Sequence, residues 1–149
     1  MAIPKLPQDF REFLKLLNDQ SVDYLLVGSY AVGYHGYVRS TGDMNIWIRR
    51  DQSNADKLVS VLTQFGFGVD KLSADLFMKE NNVVRLGVPP FRIELMTTLS
   101  GVKFESCDEN KVETSVDGIN IPLINLDDLK TNKKATGRHK DLNDLEHLP

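Results

Sequence analysis

The strongest constraint on the fold comes from two short apolar segments on either side of a glycine-containing stretch. The first, Tyr24-Leu25-Leu26-Val27, runs directly into Gly28-Ser29, and the second is Asn45-Ile46-Trp47-Ile48. In the second segment two isoleucines alternate with an asparagine and a tryptophan, and successive side chains of a β-strand point to opposite faces of its sheet. We therefore predict two strands, of which the second buries one face and carries polar groups on the other.

Apolar residues with helical spacing precede the first strand. Phe10, Phe13, Leu14 and Leu17 recur at i, i+3, i+4 and i+7, which is the spacing of one face of an α-helix. Asp9 is the predicted cap of this helix, because a short acidic side chain at a helix start can accept hydrogen bonds from free backbone N–H groups.

Two more helices are predicted in the first half of the chain. A short one covers Ala31 to His35. A longer one, capped by Ser53, extends through Phe65 with an apolar face, and the glycines at 66 and 68 end it.

The second half of the chain begins with strand and turn signals. Residues 83–88 and 92–96 form a predicted strand pair joined around Pro89-Pro90. A second pair, 111–116 and 119–123, flanks an Asp-Gly dipeptide, which is typical of two-residue hairpin turns.

The tail completes a mixed pattern of helices and strands. From Leu126 onward we predict helix, interrupted near Gly137. The chain of 149 residues suits one domain, residues 1–149. We predict an α+β fold with a mixed, largely antiparallel sheet flanked by helices.

The composition is that of an ordinary globular protein, with 41% hydrophobic and 26% charged residues. No apolar run approaches the ~20 residues that cross a bilayer, and the start of the chain lacks the basic-then-apolar pattern of a secretory signal. Cys107 is the single cysteine, which excludes an internal disulfide. These features favour a cytoplasmic protein.

The net charge of −3 and the pI of about 5.6 do not indicate a dedicated nucleic-acid-binding protein. The charges are unevenly distributed, since residues 130–140 contain several cations and no Asp or Glu. This basic stretch suits a compact anion as well as a larger partner, and in many proteins it is a solvated helix face. A nucleic-acid-binding role would predict a steep salt dependence of RNA or DNA binding.

Acidic side chains on neighbouring strands point to metal-dependent phosphoryl chemistry. Two divalent cations ~3.5–4 Å apart can activate an attacking hydroxyl and stabilise the leaving oxygen, and Mg²⁺ prefers oxygen ligands. Asp43 and residue 45 project to the same face of the second strand. Glu94, between Ile93 and Leu95, is the best candidate for a third ligand, because an isolated acid among apolar neighbours has to face a polar group.

Three of these segments resemble a known signature. In order, Val27-Gly28-Ser29, Asp43-Met44-Asn45-Ile46 and Ile93-Glu94-Leu95 are similar to the motifs of the DNA polymerase β-like nucleotidyltransferase superfamily. Those motifs are a glycine-serine turn, an acid-x-acid pair on the next strand and a third acid on a later strand. The run from Gly28 to Asp43 and the ending Lys140-Asp141-Leu142-Asn143-Asp144-Leu145 resemble small bacterial minimal nucleotidyltransferases, including relatives of AbiEii-type toxins.

The resemblance implies an activity and its reactants. A hydroxyl of RNA (such as tRNA), of a protein or of a small molecule would attack the α-phosphate of a nucleoside triphosphate and release pyrophosphate. The implied ligands of Mg²⁺ or Mn²⁺ are Asp43, Asn45 and Glu94. A cognate toxin or antitoxin is the implied protein partner.

The resemblance also implies where the triphosphate lies. Gly28 and Ser29 would stand where a strand meets a helix N-terminus, which is a natural site for triphosphate oxygens. The cations that would neutralise the triphosphate are Arg39, Lys130, Lys133 and Lys134.

Asn45 departs from the family pattern, which has an acid at this position. A neutral amide removes one unit of negative charge from the implied metal site. Three alternatives stay open: a natural pseudoenzyme that still binds nucleotide, an engineered inactive variant, and an enzyme with a weaker site. We expect strongly reduced activity, and the interpretation that competes with an impaired transferase is a nucleotide-binding or protein-interaction module without turnover.

Overall fold

The computed structural model describes residues 3, 6–39, 42–66, 72–88 and 90–149. The helices among them are α1 (Gln8–Asp19), α2 (Gly28–Tyr34), α3 (Gln52–Phe65), α4 (Phe104–Glu109), α5 (Leu126–Thr136) and α6 (His139–His147). The strands are β1 (Tyr24–Val27), β2 (Met44–Ile48), β3 (Val83–Leu86), β4 (Ile93–Met96), β5 (Val112–Val116) and β6 (Ile119–Leu123). A 3₁₀ turn over Ala74–Phe77 precedes β3.

The described strands form one sheet in the order β3-β4-β2-β1-β6-β5. β1 pairs antiparallel with β2, as do β3 with β4 and β5 with β6. The pairs β2–β4 and β1–β6 are parallel. The predicted α+β class, with a mixed and mainly antiparallel sheet, is confirmed.

The helical spacing of the first segment buries one face of α1. Phe10, Phe13, Leu14 and Leu17 are all fully buried, and they belong to the same hydrophobic cluster as the isoleucines of β2. In α3 the buried apolar side chains likewise share one face, and they join the same cluster. Ile46 and Ile48 point to the same face of β2 as each other, so the alternating Asn45 points to the opposite face.

The predicted helix caps are wrong for both long helices of the first half. Pro7 precedes α1 without a side-chain cap, and Asp9 lies within the first turn, where its charge faces the positive end of the helix dipole. At α3 the carboxylate of Asp51 accepts a hydrogen bond of 2.8 Å from the backbone N of Asn54. Ser53 is therefore inside the helix, because the extended backbone needed for a cap occurs two residues earlier.

Several element bounds differ from the sequence prediction. α2 begins at Gly28 rather than Ala31, and the strands around residues 83–96 are each shorter than predicted. The 3₁₀ turn and α4 were not predicted, because each is too short to show a periodic pattern. Gly68, Pro89 and the pair 40–41 lie outside the described residues.

The hairpin and the helical tail are confirmed. Asp117 and Gly118 have positive φ angles of 51° and 78°, as a tight turn between β5 and β6 requires. The side chain of Asn125 caps α5 by accepting from the backbone N of Asp128 at 2.9 Å. Gly137, with φ of 62°, ends α5 in the left-handed conformation and lets the chain turn into α6.

No helix within the described ranges combines the length and the apolar character needed to cross a membrane.

Candidate functional site

A cleft of about 560 Å³ opens on the face of the sheet that carries the polar side chains. Its floor includes Gly28 and Ser29 at the end of β1, Asn45 of β2 and Glu94 of β4. The turn that begins at Gly137 brings the end of α5 and the start of α6 to form its basic wall. With Val83 and Arg85 of β3, residues from five separate parts of the chain therefore meet at this place.

Asn45 and Glu94 are neighbours across the parallel pair of β2 and β4. The Nδ2 atom of Asn45 donates a hydrogen bond of 3.2 Å to Oε1 of Glu94. The other oxygen, Oε2, accepts a bond of 3.0 Å from Nε of Arg85, which lies opposite Glu94 on β3. Both oxygens of this carboxylate, whose side chain is 14% exposed, are thus already bound by donors.

Gly28 lies directly against Asn45. Its φ is +67°, and a Cβ atom at this position would stand 2.4 Å from Oδ1 of Asn45. Residue 28 cannot carry a side chain for two reasons. Its left-handed backbone is costly for residues other than glycine, and Asn45 already occupies the space. The glycine therefore brings the backbone of residues 28 and 29 to the edge of the polar floor.

Asp43 lies just before β2 and is held by Arg92, which lies just before β4. Nη2 of Arg92 donates to Oδ2 of Asp43 at 2.8 Å. This bond, together with the charges of Asp43 and Glu94, raises the pKa of Arg92 above its ordinary value. Asn45 and Glu94 are therefore cross-strand neighbours that line the cleft, whereas Asp43 precedes β2 and is not among the described residues that line it.

The basic wall rests on a buried ion-pair network. Nζ of Lys133 stands 3.2 Å from a carboxylate oxygen of Asp141 and 3.1 Å from one of Asp144. Nε of Arg138 donates to Asp141 at 2.7 Å. Burial alone would raise the pKa of Asp141, but hydrogen bonds from Arg138 and Thr136 and the charge of Lys133 outweigh it and hold that pKa far below its usual range.

Three of the predicted cations lie elsewhere. Arg39 makes two hydrogen bonds, of 2.8 and 2.9 Å, to the carboxylate of Asp144, and so ties the segment before Asp43 to α6. Lys130 contacts the carbonyl oxygen of Pro149. Lys133 is among the described residues that line the cleft. Arg39, Lys130 and Lys134 are not among the described residues that line it.

Sequence reasoning missed Arg85, and it placed Arg138 and Lys140 in the basic stretch 130–140 without naming them as phosphate-binding candidates, although all three line the cleft. Arg85 could have been found from strand pairing, because an antiparallel hairpin centred on residues 89–90 places it opposite Glu94. Arg138 and Lys140 follow the glycine that reverses the chain, and that reversal turns them toward the sheet.

The side chains present do not offer a divalent cation a converging set of oxygen ligands. Asn45 directs its N–H group at Glu94, and the carboxylates of Asp43 and Glu94 are each bound by an arginine. Within the described ranges there is no group of three or more His, Cys, Asp or Glu side chains arranged to hold a metal ion. The arrangement as it stands does not fit the two-cation site that the sequence resemblance implies.

Neither a family model nor a curated protein matches the sequence, but solved structures do. A candidate nucleotidyltransferase from Thermotoga maritima superimposes with a TM-score of 0.63 at 18% identity, covering 92% of this chain and 88% of that one. The lincosamide antibiotic adenylyltransferase LnuA, with lincomycin bound, gives a TM-score of 0.56 at 16% identity and 95% coverage of both chains. An antigenic nucleotidyltransferase-like protein from Paracoccidioides brasiliensis gives 0.55 at 17% identity, covering 92% of this chain and 72% of that one.

The chain has the nucleotidyltransferase fold. At identities of 16–18% this likeness establishes architecture, and the chemistry has to be argued from the residues of the site.

Proposed function

We propose that the cleft binds a nucleoside triphosphate, and that the chain is a nucleotidyltransferase whose transfer step is impaired by Asn45. The observation that carries this proposal is the contact set at the cleft floor. Gly28 stands against Asn45, Asn45 bonds Glu94, and a basic wall faces them. The volume of about 560 Å³ lies in the range of small-ligand sites, and the basic wall favours an anionic ligand.

The residues of the cleft have distinct roles in this proposal. The basic wall binds the phosphate oxygens, while Ser29 donates its hydroxyl to one of them. The backbone at Gly28 lets the triphosphate approach the floor without meeting a side chain. The acceptor oxygen would bond to the α-phosphorus as the bond to the pyrophosphate oxygen breaks, and the hydroxyl proton would pass toward Glu94.

Asn45 explains why this transfer is slow. The reaction implied by the resemblance uses metal ions held by acids, and the residues here do not form that ligand set. Both carboxylate oxygens of Glu94 also accept hydrogen bonds, from Asn45 and Arg85, so neither is free to approach the acceptor hydroxyl. Both effects act on turnover and leave binding of the triphosphate intact.

The acceptor is a hydroxyl of RNA such as tRNA, of a protein, or of a small molecule. Because the structure of LnuA contains lincomycin, the acceptors to be tested should include a small molecule of this kind. The resemblance to minimal nucleotidyltransferases and AbiEii-type toxins adds a cognate toxin or antitoxin as a partner.

A second candidate is a nucleotide-binding or protein-interaction module without any turnover. The specific observation in its favour is that Asn45 presents a hydrogen-bond donor where transfer chemistry calls for another anion. Metal-dependent or metal-free nucleotide binding with no pyrophosphate release would select it over the impaired enzyme.

The test is an incubation with each labelled nucleoside triphosphate, Mg²⁺ or Mn²⁺, and three acceptor pools: total cellular RNA, total protein and lincomycin. The protein as it stands and Asn45→Asp are run side by side. We expect weak or no labelling by the first and at least about tenfold more by the second, equivalent to a barrier lower by about 1.4 kcal/mol. Binding without gain of labelling in Asn45→Asp would favour the inactive module, and absence of nucleotide binding by either protein would refute the proposal.

A further inference from the structure

We propose that the cleft binds its triphosphate ligand without a divalent cation, because arginines already neutralise the carboxylates that would otherwise require one. This inference rests on the proposed function and specifies the form of the ligand that the site accepts. The ligand class is a metal-free oligophosphate, either alone or as the tail of a nucleotide.

The carboxylates of Glu94 and Asp43 are already bound by donor groups of the protein. Glu94 is bound through one oxygen by Arg85 and through the other by Asn45, while Asp43 is bound by Arg92. The two guanidinium groups therefore neutralise these acids. A metal cation is not needed to prevent the carboxylates from repelling a triphosphate.

The amide group of Asn45 is oriented by its contact with Glu94. Its Nδ2 atom faces Oε1 of Glu94, and the reverse orientation would bring two acceptor oxygens together. The amide oxygen faces Gly28 instead. An aspartate at this position would have to face the carboxylate of Glu94, and two such groups in contact need a bound cation or proton to coexist.

Arg92 has a second N–H group, beside the one that binds Asp43, that no described residue uses. Nε of Arg92 is buried and has no hydrogen-bond partner among the described residues. A buried N–H group without an acceptor is costly, and an anionic oxygen or a water molecule can satisfy it. A metal cation cannot. Beside Asp43, just outside the cleft lining, the unmet need is therefore for an acceptor rather than for a cation.

The side chains that line the cleft carry more positive than negative charge. Among the described residues that line it, Glu94 is the one carboxylate, and the cations are Arg85, Lys133, Arg138 and Lys140. Lys133 and Arg138 are paired with the buried Asp141, and Lys133 also with Asp144, whereas Lys140 is exposed to solvent at the start of α6. A net positive cleft within a chain of net charge −3 attracts a free polyphosphate more strongly than its magnesium complex.

The experiment is isothermal titration of the full chain with inorganic tripolyphosphate and, separately, with each of the four nucleoside triphosphates. Each titration is run in excess Mg²⁺ and again in EDTA. Tripolyphosphate makes the result independent of any base preference. We expect the Kd in EDTA to be equal to or lower than the Kd in Mg²⁺.

Two variants make the test specific. Asn45→Asp is expected to bind at least about tenfold more weakly in EDTA than in Mg²⁺, because it adds a third carboxylate beside Glu94. Lys15→Ala, on the exposed surface of α1 where Lys15 pairs with Asp19, should keep the metal indifference of the unaltered chain.

The outcomes separate this inference from the function on which it rests. Tight binding in Mg²⁺ with a loss of tenfold or more in EDTA by the unaltered chain would overturn metal independence and leave nucleotide binding intact. Equal binding in both conditions by Asn45→Asp would contradict the role assigned to Asn45. Absence of binding by any probe in either condition would overturn the proposed function and this inference with it.

Discussion

Gly28 and Asn45 are in such close contact that a single methyl group at residue 28 would overlap the amide of residue 45. The distance from the position of that Cβ to Oδ1 of Asn45 would be 2.4 Å, and φ at residue 28 is +67°. The end of β1 can therefore pack directly against Asn45 of β2 because residue 28 has no side chain.

Substitution Gly28→Ala should consequently cost both stability and ligand binding. We expect about 3 kcal/mol of lost unfolding free energy, from left-handed backbone strain and overpacking together. Gly118→Ala is the matched control, because φ there is +78° but no atom lies within 4 Å. It should lose only about 1–2 kcal/mol, for strain alone. Urea unfolding of both variants measures the difference, and equal losses would show that Asn45 does not constrain Gly28.

Lys133 should behave as a structural cation of the α5–α6 junction. Its side chain is 5% exposed between Asp141 and Asp144, so Lys133→Met leaves two buried carboxylates with one cation fewer. We expect a loss of about 3–5 kcal/mol in urea unfolding. Lys15→Met, which removes an exposed pair with Asp19, should change stability by less than about 1 kcal/mol. Similar small effects at both sites would contradict the buried network.

The same network should make the protein sensitive to acid. Burial alone would raise the pKa of Asp144, but hydrogen bonds from Arg39 and Lys133 outweigh it and lower that pKa below its ordinary value, as happens also at Asp141. On acidification the unfolded chain therefore takes up protons at a higher pH than the folded chain does. The stability that these two carboxylates contribute is complete above their unfolded pKa of about 3.9, and it disappears as the pH falls toward their lower folded pKa values.

Unfolding free energy measured from pH 7 to pH 2 tests this coupling. The unaltered chain should lose stability steeply below about pH 4. Asp144→Asn should be less stable at pH 7 and should lose less on acidification, since one of the coupled carboxyls is gone. An unchanged slope in the variant would mean that Asp144 has the same pKa folded and unfolded.

Cys107 should be inert in the folded protein. Burial, followed by a hydrogen bond with Asp128, raises the pKa of its thiol to about 12, and the residue is almost fully buried. At pH 8 a disulfide reagent such as DTNB should react at least about 100-fold more slowly with the native chain than with the urea-unfolded chain. Rapid labelling under native conditions would show that the segment around α4 opens readily.

Local patterns in the sequence were enough to predict most of the fold. The apolar spacing of α1 and α3, the Asp-Gly turn and the glycine that ends α5 each act within a few residues, so the sequence shows them directly. The predicted caps were wrong because the position of a cap depends on the backbone angles at one residue, which the sequence does not show. Near the start of α3, both Asp51 and Ser53 have a polar side chain that could act as a cap.

The candidate site was only partly predictable, because its charges are assembled over long sequence distances. The motif spacing indicated that Asp43, Asn45 and Glu94 share a face, and the strand register places Asn45 beside Glu94 but does not include Asp43. The motif spacing could not indicate that Arg39 would form an ion pair with Asp144, 105 residues away, or that Arg85 would bind Glu94. Ion pairs between distant elements decide which cations stay free to meet a ligand, and those pairs exist only in the folded chain.

The central claim is that the basic wall of the cleft binds a triphosphate, and the most direct measurement is the Kd of a nucleoside triphosphate for Lys140→Ala. Lys140 lines the cleft from the start of α6. Loss of one phosphate contact should raise the Kd about five- to tenfold, equivalent to roughly 1–1.4 kcal/mol, while Lys15→Ala stays within about twofold of the unaltered chain. Equal Kd values for Lys140→Ala, Lys15→Ala and the unaltered chain would contradict the claim.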